Sequence, residues 1–233
     1  MKTLRFDIVS IFPGMFESPF GDSIIERARD KGLLDIRIHD LRDYTLNKHR
    51  KVDDTPFGGG VGMVMNVEPI ARALEAIKKE APKAKTILLS PGGSPFDQQK
   101  ASELSLQENL ILICGRYEGI DERIRLHFED EEISIGDYIL TGGEIPAMVL
   151  VEAVSRLIPG ILGDSESIVE ESFSDGVLEY PQYTRPRDYK GFKVPDVLVS
   201  GDPKKIRAWQ KTEALKKTES VRPDLFEKNK RSN

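Results

Sequence analysis

The sequence predicts an α/β fold, a mainly parallel sheet with helices on both faces. Its opening residues give strand, helix and strand signals in turn, the repeating unit of such a sheet. Three later strand signals each stop at a glycine-rich polar turn. Strand ends of that kind are where α/β proteins bind ligands.

Leu4 to Phe12 reads as the first strand, with Leu4, Phe6 and Ile8 on one face, ended by Pro13-Gly14. Asp22 or Ser23 caps a helix over 24–31 that Gly32 terminates. Asp35 to Asp40 alternates apolar and polar residues, as a half-buried strand does. Residues 41–65 show little periodicity but much charge, with Gly58, Gly59, Gly60 and Gly62 near their end. A loop this long inside a compact domain is either functional or disordered. Pro69 opens a helix over 70–80 with Ile70, Ala73, Leu74 and Ile77 along one stripe.

Thr86 to Leu89 is a buried strand ending in Ser90-Pro91-Gly92-Gly93, and Asp97 caps the helix that follows. Leu110 to Cys114 is an apolar run short enough for a strand. Gly115 ends it, and Arg116-Tyr117-Glu118-Gly119 leads to Asp121, the cap of a helix carrying Ile124 and Phe128. Ile133 to Ile135 is another strand, stopped at Gly136 before a turn that closes on Thr141-Gly142-Gly143. Ile145 to Leu157 is a mostly apolar helix, either plain core or a dimer contact. Leu162 to Thr184 has six acids, no Lys or Arg and no helical stripe, and reads as a linker. Asp202-Pro203 then starts a helix with Ile206 and Trp209 on one side, a small helical domain with Trp209 in its core.

Hydrophobic residues at 39% and charged residues at 31% suit a soluble enzyme with a real core. No apolar run approaches the ~20 residues of a membrane span. The early charges Lys2, Arg5 and Asp7 exclude a signal peptide. With one cysteine, Cys114, no internal disulfide can form, and the expected compartment is the cytoplasm. Three scattered histidines give no metal cluster. The net charge of −5 hides an asymmetry. Residues 185–233 hold 14 Lys and Arg against 7 Asp and Glu, a net of +7, whereas the first 184 carry −12. That division suits a polyanion partner, although a solvated basic tail gives the same count.

Neither GxGxxG nor GxxxxGK[ST] occurs, which disfavours a dinucleotide fold and a P-loop. GRYEGIDER followed by SIGDYILTGGE closely resembles the cofactor-binding heart of the bacterial tRNA (guanine-N1)-methyltransferases of the TrmD type, members of the knotted SPOUT class. HRKVDD with PFGGGVGM, and SRLIPG with VEESF, extend the similarity, which spans nearly the whole chain. The resemblance implies a C-terminal trefoil knot in a catalytic domain over 1–161. It further implies an acidic linker over 162–184 and a small basic helical domain over 185–233 that grips tRNA. General topology rules argue against knots, so the knot rests on the resemblance alone.

The resemblance implies S-adenosylmethionine as cofactor, tRNA as substrate, magnesium as a helper, and a homodimer with the active site between subunits. Its cofactor contacts carry over to Leu89, Ser90, Pro91, Gly115, Tyr117, Glu118, Ile135, Gly136, Asp137, Tyr138, Ile139, Leu140, Gly142 and Gly143, mostly through backbone groups. Asp137 has the alternative role of bracing the loop. The "LSPQG" cofactor loop of the family reads LSPGG here, which puts a side-chain contact at Gly92 in doubt. His49, Arg50, Asp53, Asp54, Gly60, Arg185, Lys204 and Arg207 are the expected tRNA contacts. Arg156 matches the arginine expected to act on guanine O6. Glu171 stands where most members carry an aspartate base, with Glu170 as a stand-in. Two other readings stay open on the residues alone: a nucleotide enzyme whose glycine loops bind phosphates, and a non-catalytic RNA-binding module.

Overall fold

In a computed structural model, residues 3–162, 171–173 and 176–226 are described. The chain divides into two compact units, Met1–Gly163 and Asp164–Asn233.

The first unit is built on β1 (Leu4–Ser10), β2 (Leu34–Asp40), β5 (Lys85–Pro95), β6 (Asn109–Cys114) and β7 (Glu131–Ser134). They form one sheet in the order β2-β1-β6-β5-β7, and every pairing is parallel. Parallel strands buried on both sides should read as continuous apolar runs. Leu110 to Cys114 obeys, being fully buried throughout. Against one face lie α2 (Ser23–Asp30), α4 (Gln98–Ser105) and α6 (Glu144–Ser155), packed on Phe6, Ile8, Leu110 and Leu112. Against the other lie α3 (Val67–Glu80) and α5 (Glu122–His127), packed on Val9, Leu88, Ile111 and Ile113. A one-turn α1 (Glu17–Phe20) joins the first layer through Phe20.

The expected helix caps form where short acids precede apolar stripes. Asp22, Asp97 and Asp121 accept from the backbone N–H of Ser23, Lys100 and Arg123. At α2 it is Asp22 that caps, since Ser23 already sits inside the helix with a φ of 60°. Three boundaries differ from the sequence reading. β1 stops at Ser10, whose hydroxyl accepts from Phe12 N–H at 2.9 Å and turns the chain. β7 runs over Glu131–Ser134, so Ile135 belongs to the following turn. β5 does not end at Leu89: after a bulge it resumes at Ser94–Pro95 against Ile133–Ser134. Gly93 makes this possible, because a Cβ there would lie 2.4 Å from Ile133 N.

The segment 41–65 is not a floppy loop. Its middle pairs with its end as a short antiparallel ladder, β3 (Asp53–Asp54) with β4 (Val64–Met65), and Val52 and Met65 are buried in the second core. Its start is held by a part-buried polar chain. His39 lies 2.8 Å from the Asp7 carboxylate and 2.7 Å from the Tyr44 hydroxyl. Burial alone would raise the Asp7 carboxyl, but hydrogen bonds from His39 and Arg5 outweigh it and hold it below the usual carboxylate range.

The second unit is not purely helical. It contains α7 (Pro203–Val221), capped by Asp202, and a small antiparallel ribbon, β8 (Asp188–Tyr189) with β9 (Phe192–Lys193). Trp209 is only half-buried, tilted against Tyr183 at 6.3 Å between ring centroids. Among the described residues of this unit, Ala214, Thr218 and Leu225 are the buried ones, so the expectation of Trp209 as its core is corrected. The linker acids Asp164, Glu166, Glu170 and Asp175 lie outside the described residues.

Candidate functional site

The three glycine-rich strand ends meet. β6, β5 and β7 are neighbours in the sheet, so Gly115, Ser90 and Ile135 emerge side by side. The turns they lead into enclose a cleft of about 460 Å³. Its lining includes Leu89, Ser90, Pro91, Gly115, Tyr117, Glu118, Ile135, Gly136, Tyr138, Ile139, Leu140, Gly142 and Gly143. Thus all but one of the sequence-expected cofactor residues share this space. The exception is Asp137, which is exposed on the turn and is not part of the lining.

The two turns are fastened to each other. Gly143 N–H donates to Gly115 O at 2.9 Å, and Arg116 forms an antiparallel bridge with Gly142. Glycine at 143 is obligatory because a Cβ would lie 2.7 Å from Cys114 Cα. Tyr117 takes a φ of 62°, an unfavourable conformation for an L residue, at the tip of the first turn.

Beneath the turns lies an ion pair that sequence reasoning missed. Glu144 opens α6 and is fully buried. Arg116 Nε donates to one of its carboxylate oxygens at 2.8 Å, and Ser10 Oγ donates to the other at 2.7 Å. The amide-rich start of α6 adds a favourable field for the carboxylate. Arg116 also lies over the Phe12 ring, 4.6 Å from its centroid. The only advance signal was an acid at the threshold of an otherwise apolar helix. Cys114 sits beside this pair, and burial first, then the Glu144 charge, pushes its thiol well above the usual range. A thiol so raised is no nucleophile.

The rim of the cleft is stitched to the segment 41–65. Glu118 N–H donates to Met63 O at 3.0 Å, Met65 N–H to Gly119 O at 2.9 Å, and Asp121 N–H to Met65 O at 3.0 Å. His49, Asp54 and Gly60 are exposed on this segment and Asp53 is partly buried. Arg50 is ion-paired with Asp40 and Asp43. In the second unit Arg185, Lys204 and Arg207 are exposed.

Arg156 does not line the cleft. It caps the C-terminal end of α6, whereas the cleft touches the other end at Gly143 and Pro146. The twelve residues of that helix span roughly 18 Å. Glu171 belongs to the second unit and is partly buried. Among the described residues, no three His, Cys, Asp or Glu side chains converge as a metal site. None of the described helices is long and apolar enough to cross a membrane.

Comparison with known proteins agrees with the motifs. Residues 4–228 match the family described as tRNA (Guanine-1)-methyltransferase TrmD. A tRNA (guanine-N(1)-)-methyltransferase of Dictyoglomus turgidum is 60% identical over 225 residues, 97% of this chain and 91% of that protein. One from Citrifermentans bemidjiense is 54% identical over 224 residues, 96% of this chain and 90% of that protein. The crystal structure of the tRNA (m1G37) methyltransferase from Aquifex aeolicus superposes with a TM-score of 0.79 at 38% identity, covering 98% of this chain and 97% of that one. The strand-end cleft and the sequence that builds it therefore place this chain in the TrmD family of tRNA (guanine-1)-methyltransferases.

Proposed function

We propose that the chain uses S-adenosylmethionine to methylate N1 of the guanosine 3′ of the anticodon in tRNA, position 37 in the Aquifex relative. The observation that carries this reading is the cleft where three parallel strands end. Its size is within the range for a small-molecule site, and most of its lining residues belong to the tight turns that follow the three strands. Such turns present N–H and C=O groups to an adenine and ribose, while Leu89, Ile133, Leu140 and Pro146 offer apolar walls. Leu89 to Pro91, Gly115 to Glu118 and Ile135 to Gly143 would hold the cofactor, which supplies an electrophilic methyl group when bound. Among the described residues, no three His, Cys, Asp or Glu side chains assemble a magnesium site.

Guanine N1 carries a proton and is a poor nucleophile until that proton leaves. Glu171 is the base that takes it, and Arg156 stabilises the negative charge that spreads to O6. Glutamate has one more methylene than the aspartate usual in the family, so its backbone sits farther from the base. Arg156 stands a helix length from the cleft of its own chain, which favours its serving the cleft of a second copy. Ile145 and Val149, one turn apart on α6 and 49% and 42% exposed, offer an apolar contact for that copy. We therefore read the enzyme as a cytoplasmic homodimer whose 1–161 domain, with a trefoil knot, carries the chemistry. Residues 162–184 are then the linker that brings Glu171, and 185–233 grip the tRNA backbone by charge.

The test is methyl transfer to tRNA transcripts with G or A after the anticodon. Transfer to G alone is expected; transfer to both, or to neither, sinks the reading. Glu171→Gln should keep cofactor binding and slow single-turnover methylation at least tenfold, the range for a lost general base. Unchanged turnover would move the base elsewhere.

A further inference from the structure

The ribbon in the second unit presents two exposed aromatic rings, Tyr189 and Phe192. Its strands pair Asp188 with Lys193 and Tyr189 with Phe192. Lys190 and Gly191 form the turn, both with positive φ, 55° and 90°, as a tight two-residue hairpin needs. Gly191 N–H donates to the Asp188 carboxylate at 2.8 Å, which closes the turn. At the base, Val194 N–H donates to Arg187 O at 2.9 Å and Arg187 pairs with Asp196 at 2.8 Å. The hairpin is therefore fixed at both ends.

Residues paired across a ladder project to the same face, so Tyr189 and Phe192 share one face of the ribbon. They are 59% and 79% exposed. A cross-strand pair contributes at most about 1 kcal/mol to its own ribbon. That is small compensation for leaving two large rings in water. Residues 185–193 also hold four basic side chains against one acid, and Lys190 Nζ lies 5.4 Å from the Tyr189 ring centroid. Rings among cations on a fixed turn suit unpaired RNA: bases stack on the ring faces while phosphates meet the cations. A second copy meeting this ribbon through its own ribbon would bring the same positive charge and be repelled.

We propose that Tyr189 and Phe192 form a stacking platform for an unpaired base of the tRNA, with Lys190, whose Nζ lies by the Tyr189 ring, meeting the phosphate beside it. The proposal rests on the tRNA reading above, and its test separates the two. In the full chain, Tyr189→Ala with Phe192→Ala should weaken binding of a tRNA transcript about tenfold or more. Binding of S-adenosylmethionine should be unchanged, and Tyr189→Phe with Phe192→Trp should restore tRNA affinity. Unaltered tRNA affinity in the double alanine variant overturns the proposal, as does a change of oligomeric state in its place. A wild-type chain that binds tRNA but transfers no methyl would fail the functional reading alone. Should the alanine variant not fold, Phe192→Trp in a Trp209→Phe chain gives a direct signal. Its fluorescence should be quenched by tRNA but not by heparin, which has charge without bases; no quenching by tRNA overturns the platform.

Discussion

The two units are built on different terms. In the first, a five-stranded sheet is covered on both faces, and even a carboxylate, Glu144, is fully buried with two partners. In the second, the buried ones among the described residues are Ala214, Thr218 and Leu225, around one long helix rich in lysine. The contrast follows from the tasks proposed for them. A methyl transfer fails when reacting atoms are misplaced by about 1 Å, so its scaffold must be stiff. Attraction to a phosphate backbone needs charge at the surface and little else.

The sharpest way to break this comparison is to strip Glu144 of its cation. Arg116→Met would leave the carboxylate buried with Ser10 as its remaining partner. Removing one member of such a pair costs about 3–5 kcal/mol, to be read as a lower urea midpoint for the first unit. An unchanged midpoint would mean the pair is dispensable and the stiffness lies elsewhere. Gly143→Ala comes next. Its Cβ would press on Cys114 Cα, an overpacking that costs about 1–3 kcal/mol. Because it forces the two turns apart, cofactor binding in a calorimetric titration should weaken at least as much as stability falls.

Thr218→Val sharpens the other side. The Thr218 hydroxyl accepts from Leu178 N–H at 2.9 Å and donates to Ala214 O at 2.7 Å. Losing it strands a backbone donor, at about 1–3 kcal/mol. Hydrogen exchange should quicken in the second unit while cofactor affinity in the first stays put. The smallest effect concerns Glu129, whose carboxyl is pushed up to about 7, by burial first and then by the Glu132 charge. One of its oxygens is buried without a hydrogen-bond partner. The folded state therefore holds a proton that the unfolded state releases near pH 4.3. Stability should fall as pH rises from there to about 7, then level off. Glu129→Gln should flatten that slope and raise the melting temperature at pH 8; an unaltered slope would contradict it.

Much of the cleft was legible because strand ends and their glycines are local signals. Leu110 to Cys114 and Asp121 needed no knowledge of the rest of the chain. The Arg116–Glu144–Ser10 network was not legible, since it joins residues up to 134 apart and no local pattern announces it. The bulge in β5 was hidden for a similar reason: the strand resumes after Gly93 only because β7 lies beside it. Trp209 misled because size suggested a core role, whereas the smaller Ala214 and Thr218 occupy the interior of a unit with little interior to fill.

One contact joins what the chemistry needs joined. Any side chain grown from Gly62 would strike Glu118, about 2.4 Å away, and the neighbouring main chain is bonded to the same rim. Segment 41–65 and the lip of the strand-end cleft are thus one piece of fabric, cut from distant parts of the sequence. Transplanting either into a relative without the other would pucker both.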